Sequence, residues 1–305
     1  MELILMAAGA SRRYGSLKQA QGVGPHGETI ADYSVHDAVA AGLEHLVVVT
    51  RHDIYQEYRE QVGRRLERHV EVSYAFQDDA AGDVPQRAKP WGTAHAVLVG
   101  GRHVSGAFGV VNADDFYGPA SFRLLLQHLS TRSPLGVLVA FRLANTMSDN
   151  GTVTRGICSL SETDRLLAVD ETFEIAAEGE SIVSHHYQPT RRYTGAELVS
   201  MNMWGFPAGF LEQLAMEWHA FLEAHAASDS AEFYIPDAVS ALLGRGALEV
   251  TVLPTPERWV GLTNPGDEQS ARALIGDLTE ASTYPGPLWS SEDGVSTTMS
   301  LPKSD

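Results

Sequence analysis

The chain begins with a short apolar run that leads directly into a loop of small and basic residues. Residues 3–6 are all apolar, a pattern typical of a buried β-strand. The loop at residues 7–11 contains only Ala, Gly and Ser, whose small side chains let backbone N–H groups come close to an anion. Arg12, Arg13 and Lys18 add positive charge. The sequence therefore predicts a strand that ends at a phosphate-binding loop.

Two common phosphate-binding motifs are absent from this region. The spacing of residues 7–19 fits neither the dinucleotide motif GxGxxG nor the P-loop motif GxxxxGK[ST]. An ordinary turn followed by a solvated basic surface is the alternative. We favour phosphate binding because the basic residues follow the small-residue loop within a few positions.

The composition limits the type of protein and its partners. A chain of 305 residues with 44% hydrophobic residues is long enough for one large or two small globular domains. Its net charge of −17 argues against nucleic acid and against anionic membrane as partners, because both would repel it. No apolar stretch approaches the ~20 residues of a membrane span, and the first is too short for a signal peptide. We therefore expect a cytoplasmic protein. The sequence leaves open whether it forms a homo-oligomer.

The single cysteine, Cys158, excludes an internal disulfide and a multi-cysteine metal site.

Apolar runs alternate with helical segments over the first half of the chain. Thr29 is predicted to cap a helix over residues 30–41. This alternation implies parallel strands joined by right-handed crossovers. Residues 145–186 contain short alternating runs between polar residues, which predict antiparallel strands instead. Further buried strands are predicted at residues 45–50, 70–75, 108–112 and 135–142.

These patterns predict an α/β fold with a mostly parallel central sheet flanked by helices and a smaller antiparallel lobe. The predicted domain covers residues 1–278, with a first part at about 1–142, which includes the phosphate-binding loop, and a lobe at about 143–206. The remainder would complete the core. Residues 279–305 are rich in Ser, Thr, Pro and Gly, and we expect a loosely packed tail.

An acidic pair, Asp114 and Asp115, follows the predicted strand at residues 108–112. Open α/β sheets bind ligands at the carboxyl ends of their strands. Carboxylates in such a place need a cation or a hydrogen-bond network. Magnesium is the usual cation where phosphate oxygens share the site.

Several segments resemble the sugar-1-phosphate nucleotidyltransferases, which include glucose-1-phosphate and N-acetylglucosamine-1-phosphate nucleotidyltransferases. Residues 7–18 (AAGASRRYGSLK) resemble the signature AAGxGxRxG…K, with Ser11 where the family usually has Gly. Residues 14–19 (YGSLKQ) match the YGxLKQ of one subgroup, and residues 89–97 (KPWGTAHAV) resemble the second signature, GT[GA]HAV. The resemblance implies a Rossmann-like, glycosyltransferase-A-like fold. It also implies Mg²⁺-dependent transfer of a nucleotide from a nucleoside triphosphate to a sugar-1-phosphate, with release of pyrophosphate.

The resemblance also implies roles for individual residues. Arg13 and Lys18 would stabilise charge on the triphosphate. Asp114 would bind Mg²⁺ together with Asn264, or with Asp267 as the alternative, and Asp115 would support Asp114 or cap the next helix. The nucleotide would contact Ala7, Ala8, Gly9, Ser11, Arg12, Gly92 and Thr93. The sugar would contact Gly151, Glu171 and Asn202.

Two other functions compete with this interpretation. A nucleotide-sugar glycosyltransferase also has an acidic pair at a strand end, but it has no pyrophosphate for Arg13 and Lys18 to neutralise. A non-catalytic nucleotide-sugar-binding regulatory protein is the second alternative, and a neutral metal ligand such as Asn264 would favour it. The sequence selects neither the nucleotide base nor the sugar.

Overall fold

The computed structural model describes most of the chain. The described residues are 1–9, 12–13, 16–79, 89–148, 150–179, 181–225, 228–262 and 266–289, with only the backbone for 12, 13 and 16. Within these ranges the strands are β1 (Glu2–Met6), β2 (Arg12–Arg13), β3 (Ser16–Leu17), β4 (His45–Thr50), β5 (Glu71–Phe76), β6 (Phe108–Asn112), β7 (Asp115–Phe116), β8 (Gly136–Arg142), β9 (Val153–Leu160), β10 (Leu166–Glu178), β11 (Ser181–Ser184), β12 (Arg191–Tyr193), β13 (Leu198–Phe206), β14 (Val250–Pro254) and β15 (Val260–Gly261). The helices are α1 (Ile30–Ala40), α2 (His52–Tyr58), α3 (Arg64–Leu66), α4 (Thr93–Gly101), α5 (Pro119–Ser130), α6 (Phe210–His225), α7 (Ile235–Gly244) and α8 (Asp267–Glu280).

The central sheet is parallel at its core and helices flank it, as predicted. Strands β6, β1, β4 and β5 are adjacent in this order and pair in parallel. Strand β1 is apolar on both faces because it is covered by helices on both sides, and its residues 3–6 are buried. The strands predicted at residues 45–50 and 108–112 coincide with β4 and β6.

Strand β13 connects the parallel core to the antiparallel lobe. It pairs antiparallel with β6, with β8 and with β9, and the sheet continues from β9 through β10 and β11 to β12. The pairs from β9 to β12 are all antiparallel, which confirms the strand direction predicted for residues 145–186. The lobe is therefore an extension of the central sheet, because both share β13.

Helix α1 begins with the predicted cap and carries a buried ion pair. Thr29 Oγ1 accepts from the Asp32 backbone N–H at 3.3 Å, and Asp32 Oδ2 accepts from the Thr29 N–H at 2.7 Å, which is a capping box. The same carboxylate accepts from Arg65 Nε at 3.0 Å. Asp32 is fully buried, so its charge depends on these partners.

Within the predicted tail, residues 281–289 contact α1 through the side chains of Tyr284 and Trp289. Tyr284 and Leu288 are buried, and the Tyr284 hydroxyl donates to Asp37 Oδ2 at 2.7 Å. Trp289 Nε1 donates to Asp32 Oδ1 at 3.3 Å. Tyr284, Leu288 and Trp289 thus anchor a segment whose other residues are exposed. Residues 290–305 lie outside the described part of the chain.

No helix among the described residues has both the length and the apolar character needed to cross a membrane.

Replacing Asp32 with Ala should lower the free energy of unfolding by about 3 kcal/mol, because Arg65 loses its buried partner and the Thr29 N–H loses its acceptor in the capping box. Urea unfolding followed by tryptophan fluorescence measures the change. The control Arg272→Ala removes an exposed contact with Glu268 and should cost less than about 0.5 kcal/mol. Equal losses in both variants would contradict the importance of the buried pair.

Candidate functional site

The loop after β1 leaves the carboxyl end of the sheet with its small residues held in place. Ala7 is buried, and its N–H donates to the Val49 carbonyl at 2.8 Å. Gly9 is exposed, and its carbonyl accepts from Gln19 Nε2 at 3.0 Å. A Cβ atom at Gly9 would lie 2.9 Å from the same nitrogen, so a larger residue there would displace the end of the Gln19 side chain. Ala8, also buried, lies between them.

Two short strands return the chain from this loop to the sheet. Strands β2 and β3 pair antiparallel, with Arg12 opposite Leu17. The side chains of Arg12 and Arg13, and Ser11 as a whole, lie outside the described residues, so their predicted phosphate contacts stay predictions. The return of the chain delivers Lys18, whose side chain is described.

Lys18 and Asp114 form an ion pair that joins the N-terminal loop to the acidic pair. Lys18 Nζ lies 2.8 Å from Asp114 Oδ2, and the two side chains are 14% and 30% exposed. The contact arises because β1 and β6 are adjacent and parallel, with Met6 paired with Asn112, so their following loops leave the sheet side by side. Lys18, which is predicted to contact the triphosphate, and Asp114, the predicted metal ligand, are thus neighbours at a site open to solvent.

Asp115 is buried beside this pair. Its Oδ2 accepts from Asn112 Nδ2 at 2.7 Å and from the Tyr117 hydroxyl at 3.4 Å. Burial raises the pKa of the Asp115 carboxyl to about 7, and the negative charge of Asp114 adds to the rise. The predicted supporting role is consistent with this position, whereas the cap of α5 is Gly118.

The segment with the second predicted metal ligand passes next to the acidic pair. Strand β15 pairs antiparallel with β7, and the Leu262 N–H donates to the Asp114 carbonyl at 3.0 Å. Asn264 lies outside the described residues. Asp267 is buried at the start of α8, and its Oδ1 accepts from Asn150 Nδ2 at 3.4 Å. The choice between Asn264 and Asp267 therefore stays open.

The donor set at the acidic pair fits a magnesium ion. Carboxylate oxygens are the ligands that Mg²⁺ prefers, and a cation would relieve the repulsion between Asp114 and Asp115. Among the described residues, no three His, Cys, Asp or Glu side chains are grouped as a complete metal site. Further ligands would have to come from substrate phosphates, water, Asn264 or Asp267.

A cavity of about 420 Å³ lies between the parallel core and the antiparallel lobe. Three predicted substrate residues line it: Thr93, Glu171 and Asn202. Its wall also includes residues for which the sequence predicted no contact with substrate: Asn112, Asp115, Thr154, Gly156, Val169, Ser200, Met201, Tyr234, Pro236, Asp237 and Ser240. The strand-end amide of Asn112, two residues before Asp114, was the available signal for one of them.

The glycine assigned to the sugar is not part of this cavity. Gly151 is exposed before β9, and no atom lies within 4 Å of a Cβ built on it. Gly156, on β9 opposite Glu171, lines the cavity instead. The two glycines stand five positions apart in one polar segment, and only the pairing with β10 distinguishes them.

Gly92 and Thr93 link α4 to the wall of the cavity. Gly92 has φ of 101°, and a Cβ there would lie 2.6 Å from the Phe233 carbonyl oxygen, so only glycine fits. Thr93 Oγ1 accepts from the Ile235 N–H at 3.1 Å at the start of α7. Both residues therefore have structural contacts, and their predicted contact with the nucleotide base stays a prediction.

Arg155 carries the positive charge beneath the cavity. It is buried, donates from Nε to Thr146 Oγ1 at 3.1 Å and lies over the Trp259 ring at 4.8 Å. Burial lowers the pKa of Arg155 to about 10, while the carboxylates of Asp115 and Asp267 act in the opposite direction. The acidic residues around the site are thus partly balanced from inside the protein.

Comparison with known proteins gives a family and a fold. The model of the nucleotidyl transferase family matches residues 4–180. A solved structure from Bacillus anthracis, assigned as a glucose-1-phosphate thymidylyltransferase and crystallised with sucrose, is 14% identical with a TM-score of 0.61, covering 90% of this chain and 95% of that chain. The inositol-1-phosphate CTP transferase of T. maritima is also 14% identical with a TM-score of 0.61, covering 92% and 96%. No curated protein sequence matches the chain.

Asp115 should make the stability of the protein depend on pH. A carboxyl pKa raised from 3.8 to about 7 means that the folded state binds the proton more tightly than the unfolded chain. The stability from Asp115 is therefore fully present below the lower value and is lost as the pH rises to the upper one. Asp115→Asn should lack this loss, which amounts to at most about 1.4 kcal/mol per pH unit.

Thermal unfolding of the wild type and Asp115→Asn at several pH values, with a chelator present, measures the difference. The unfolding temperature of Asp115→Asn should rise relative to that of the wild type as the pH rises toward neutrality. Asp53→Asn, at an exposed pair with Arg51, is the matched control and should run parallel to the wild type. Parallel curves for Asp115→Asn would show that its carboxyl has an ordinary pKa.

Proposed function

The chain belongs to the nucleotidyl transferase family, and we propose that it joins a sugar phosphate or cyclitol phosphate to a nucleoside triphosphate. The phosphate of the first substrate would attack the α-phosphorus of the second, and pyrophosphate would leave. The product would be a nucleoside diphosphate linked to the sugar or cyclitol.

The observation that carries this proposal is the contact between Lys18 and Asp114 next to the 420 Å³ cavity. Transfer between two phosphate groups needs a cation for the triphosphate, a carboxylate for the metal and space for the acceptor, all in one place. Asp115 lines the cavity and directly follows Asp114, so the chemistry and the acceptor would be neighbours.

The cavity favours a neutral polyhydroxylated group over a phosphate. The described residues that line it include three carboxylates, Asp115, Glu171 and Asp237, and no Lys, Arg or His. Carboxylates accept hydrogen bonds from hydroxyl groups, whereas they would repel a phosphate dianion. We therefore infer that the ring lies in the cavity and that its phosphate points out of the cavity, toward the α-phosphorus of the triphosphate.

The residues would act by positioning and by charge. The attacking phosphate oxygen is already anionic, so the reaction requires no general base. Lys18, together with the predicted Arg13, would neutralise charge on the triphosphate. When bound by Asp114 and Asn264 or Asp267, Mg²⁺ would supply further charge stabilisation to the phosphates. In this proposal the orientation of the two substrates supplies much of the rate.

The direct test is incubation of the protein with each nucleoside triphosphate, Mg²⁺ and a panel of hexose, N-acetylhexosamine and cyclitol phosphates. We expect one or more pairs to yield a product mass of the joined compound and equimolar pyrophosphate. Asp114→Asn should lower the rate by at least about a hundredfold, while the exposed control Asp53→Asn should not change it. Product formation at wild-type rate by Asp114→Asn would refute the assigned role.

Lys18 and Glu171 should affect different substrates. Lys18→Gln should mainly raise the KM for the triphosphate, and Glu171→Gln should mainly raise the KM for the sugar or cyclitol phosphate, each by about tenfold. Steady-state kinetics with one substrate varied at a time separates the two. If Lys18→Gln raised the KM for the sugar or cyclitol phosphate and Glu171→Gln that for the triphosphate, the proposed positions of the two substrates would be wrong.

A further inference from the structure

Three polar side chains connect the protein core to the buried acid of the cavity. Trp204 is fully buried on β13, and its Nε1 donates to Asn202 Oδ1 at 3.1 Å. Asn202 Nδ2 donates to Asn112 Oδ1 at 2.9 Å. Asn112 Nδ2 donates to Asp115 Oδ2 at 2.7 Å. We call this series of hydrogen bonds, from Trp204 through Asn202 and Asn112 to Asp115, the amide relay.

The direction of the amide relay is fixed at its buried end. An indole N–H can only donate, so the oxygen of the Asn202 amide must face Trp204 and its nitrogen must face Asn112. The Asn112 amide is then forced to accept with its oxygen and to donate to Asp115 with its nitrogen. Without Trp204, only the carboxylate of Asp115, at the other end of the amide relay, would still favour this arrangement.

The backbone shows that Asn202 is held in an unusual conformation. Its φ is 64°, in the left-handed region that residues other than glycine rarely adopt. Asn is among the residues that tolerate this region best, and here it also supplies the amide. The strand is irregular at this point, since the pairing with β8 shifts register between Ser200 and Trp204.

Asn112 and Asn202 both line the cavity, so the amide relay fixes the atoms that its wall presents. Each amide nitrogen uses one hydrogen within the amide relay and retains another, and each amide oxygen retains a lone pair. A hydroxyl group that points at this wall therefore meets donors and acceptors in one fixed arrangement.

We propose that Asn112 is a specificity-determining residue for the ring of the phosphorylated substrate, beside Asn202, for which the family resemblance already implies a sugar contact. Trp204 is the positioning residue that orients both amides. This inference rests on the proposed function. It predicts discrimination between substrates that differ in the configuration of one hydroxyl group. Trp204 contributes to that discrimination from within the core, without contacting the substrate.

The amide relay itself is tested without any substrate, by the indole N–H signals in a ¹H–¹⁵N NMR spectrum. The Trp204 signal is identified by its loss in Trp204→Phe. Asn202→Gly keeps a backbone suited to positive φ but removes the amide, so the Trp204 N–H should shift and exchange faster with solvent. Asn202→Ala should unfold at a lower temperature than Asn202→Gly, because alanine does not tolerate this φ. An unchanged Trp204 signal in Asn202→Gly would overturn the amide relay.

The specificity role is tested by the ratio of kcat/KM for the preferred phosphorylated substrate to that for its hydroxyl epimer. Trp204→Phe should lower this ratio by about tenfold and leave the KM for the triphosphate unchanged. Asn145→Ala loses amide contacts to Pro256 and Glu257 away from the cavity and should keep the wild-type ratio. An unchanged ratio in a folded Trp204→Phe protein would overturn the role.

The two proposals fail in different ways. A wild-type protein that turns over no pair of substrates but shows the expected indole signals contradicts the proposed function and reduces the amide relay to a structural element. Turnover with an unchanged indole signal in Asn202→Gly contradicts the amide relay and leaves the proposed function standing.

Discussion

The parallel pairing of β1 with β6 is the constraint on which the candidate site depends. Met6 and Asn112 occupy the same level of the sheet, so the loops that follow them emerge at one edge and next to each other. A slip of one residue in either strand would turn its side chains to the opposite face and separate Lys18 from Asp114. The buried apolar residues of β1 and β6 set this register, so the core of the sheet determines where the charges meet.

The candidate site contains cationic side chains although the protein as a whole is acidic. The chain has a net charge of −17, yet the polar edge of the sheet has Lys18 on the surface and Arg155 below it. At physiological salt, charges farther away than about 8 Å are largely screened. The nearby cations therefore have the larger effect on the electrostatic potential at the site. Asp115 shows the opposite effect: its burial and the negative charge of Asp114 disfavour its ionised form and raise its pKa.

Local patterns predicted the elements well, and contacts between distant segments were the part that the sequence did not reveal. Apolar runs identified β4 and β6, and Thr29 identified the start of α1, because each signal lies within a few residues. The branching of the sheet at β13 depends on pairing with three other strands, which no local pattern encodes. For the same reason, no local pattern shows that Gly156 lines the cavity and that Gly151 does not. The contacts of Tyr284 with α1 also join segments that are far apart in sequence, and no local pattern predicts them.

Gly92 and Thr93 belong to a motif predicted to contact the nucleotide, and they also support the wall of the cavity. Gly92 allows the backbone at Phe233 to approach closely, and Thr93 accepts from the first N–H of α7. Together they hold residues 234–237, which include three residues of the cavity wall. A threonine hydroxyl that accepts one hydrogen bond still has a hydrogen to donate, so this contact is compatible with a second one to a nucleotide. A substitution at Thr93 would therefore disturb the acceptor cavity even if the residue itself contacted only the nucleotide.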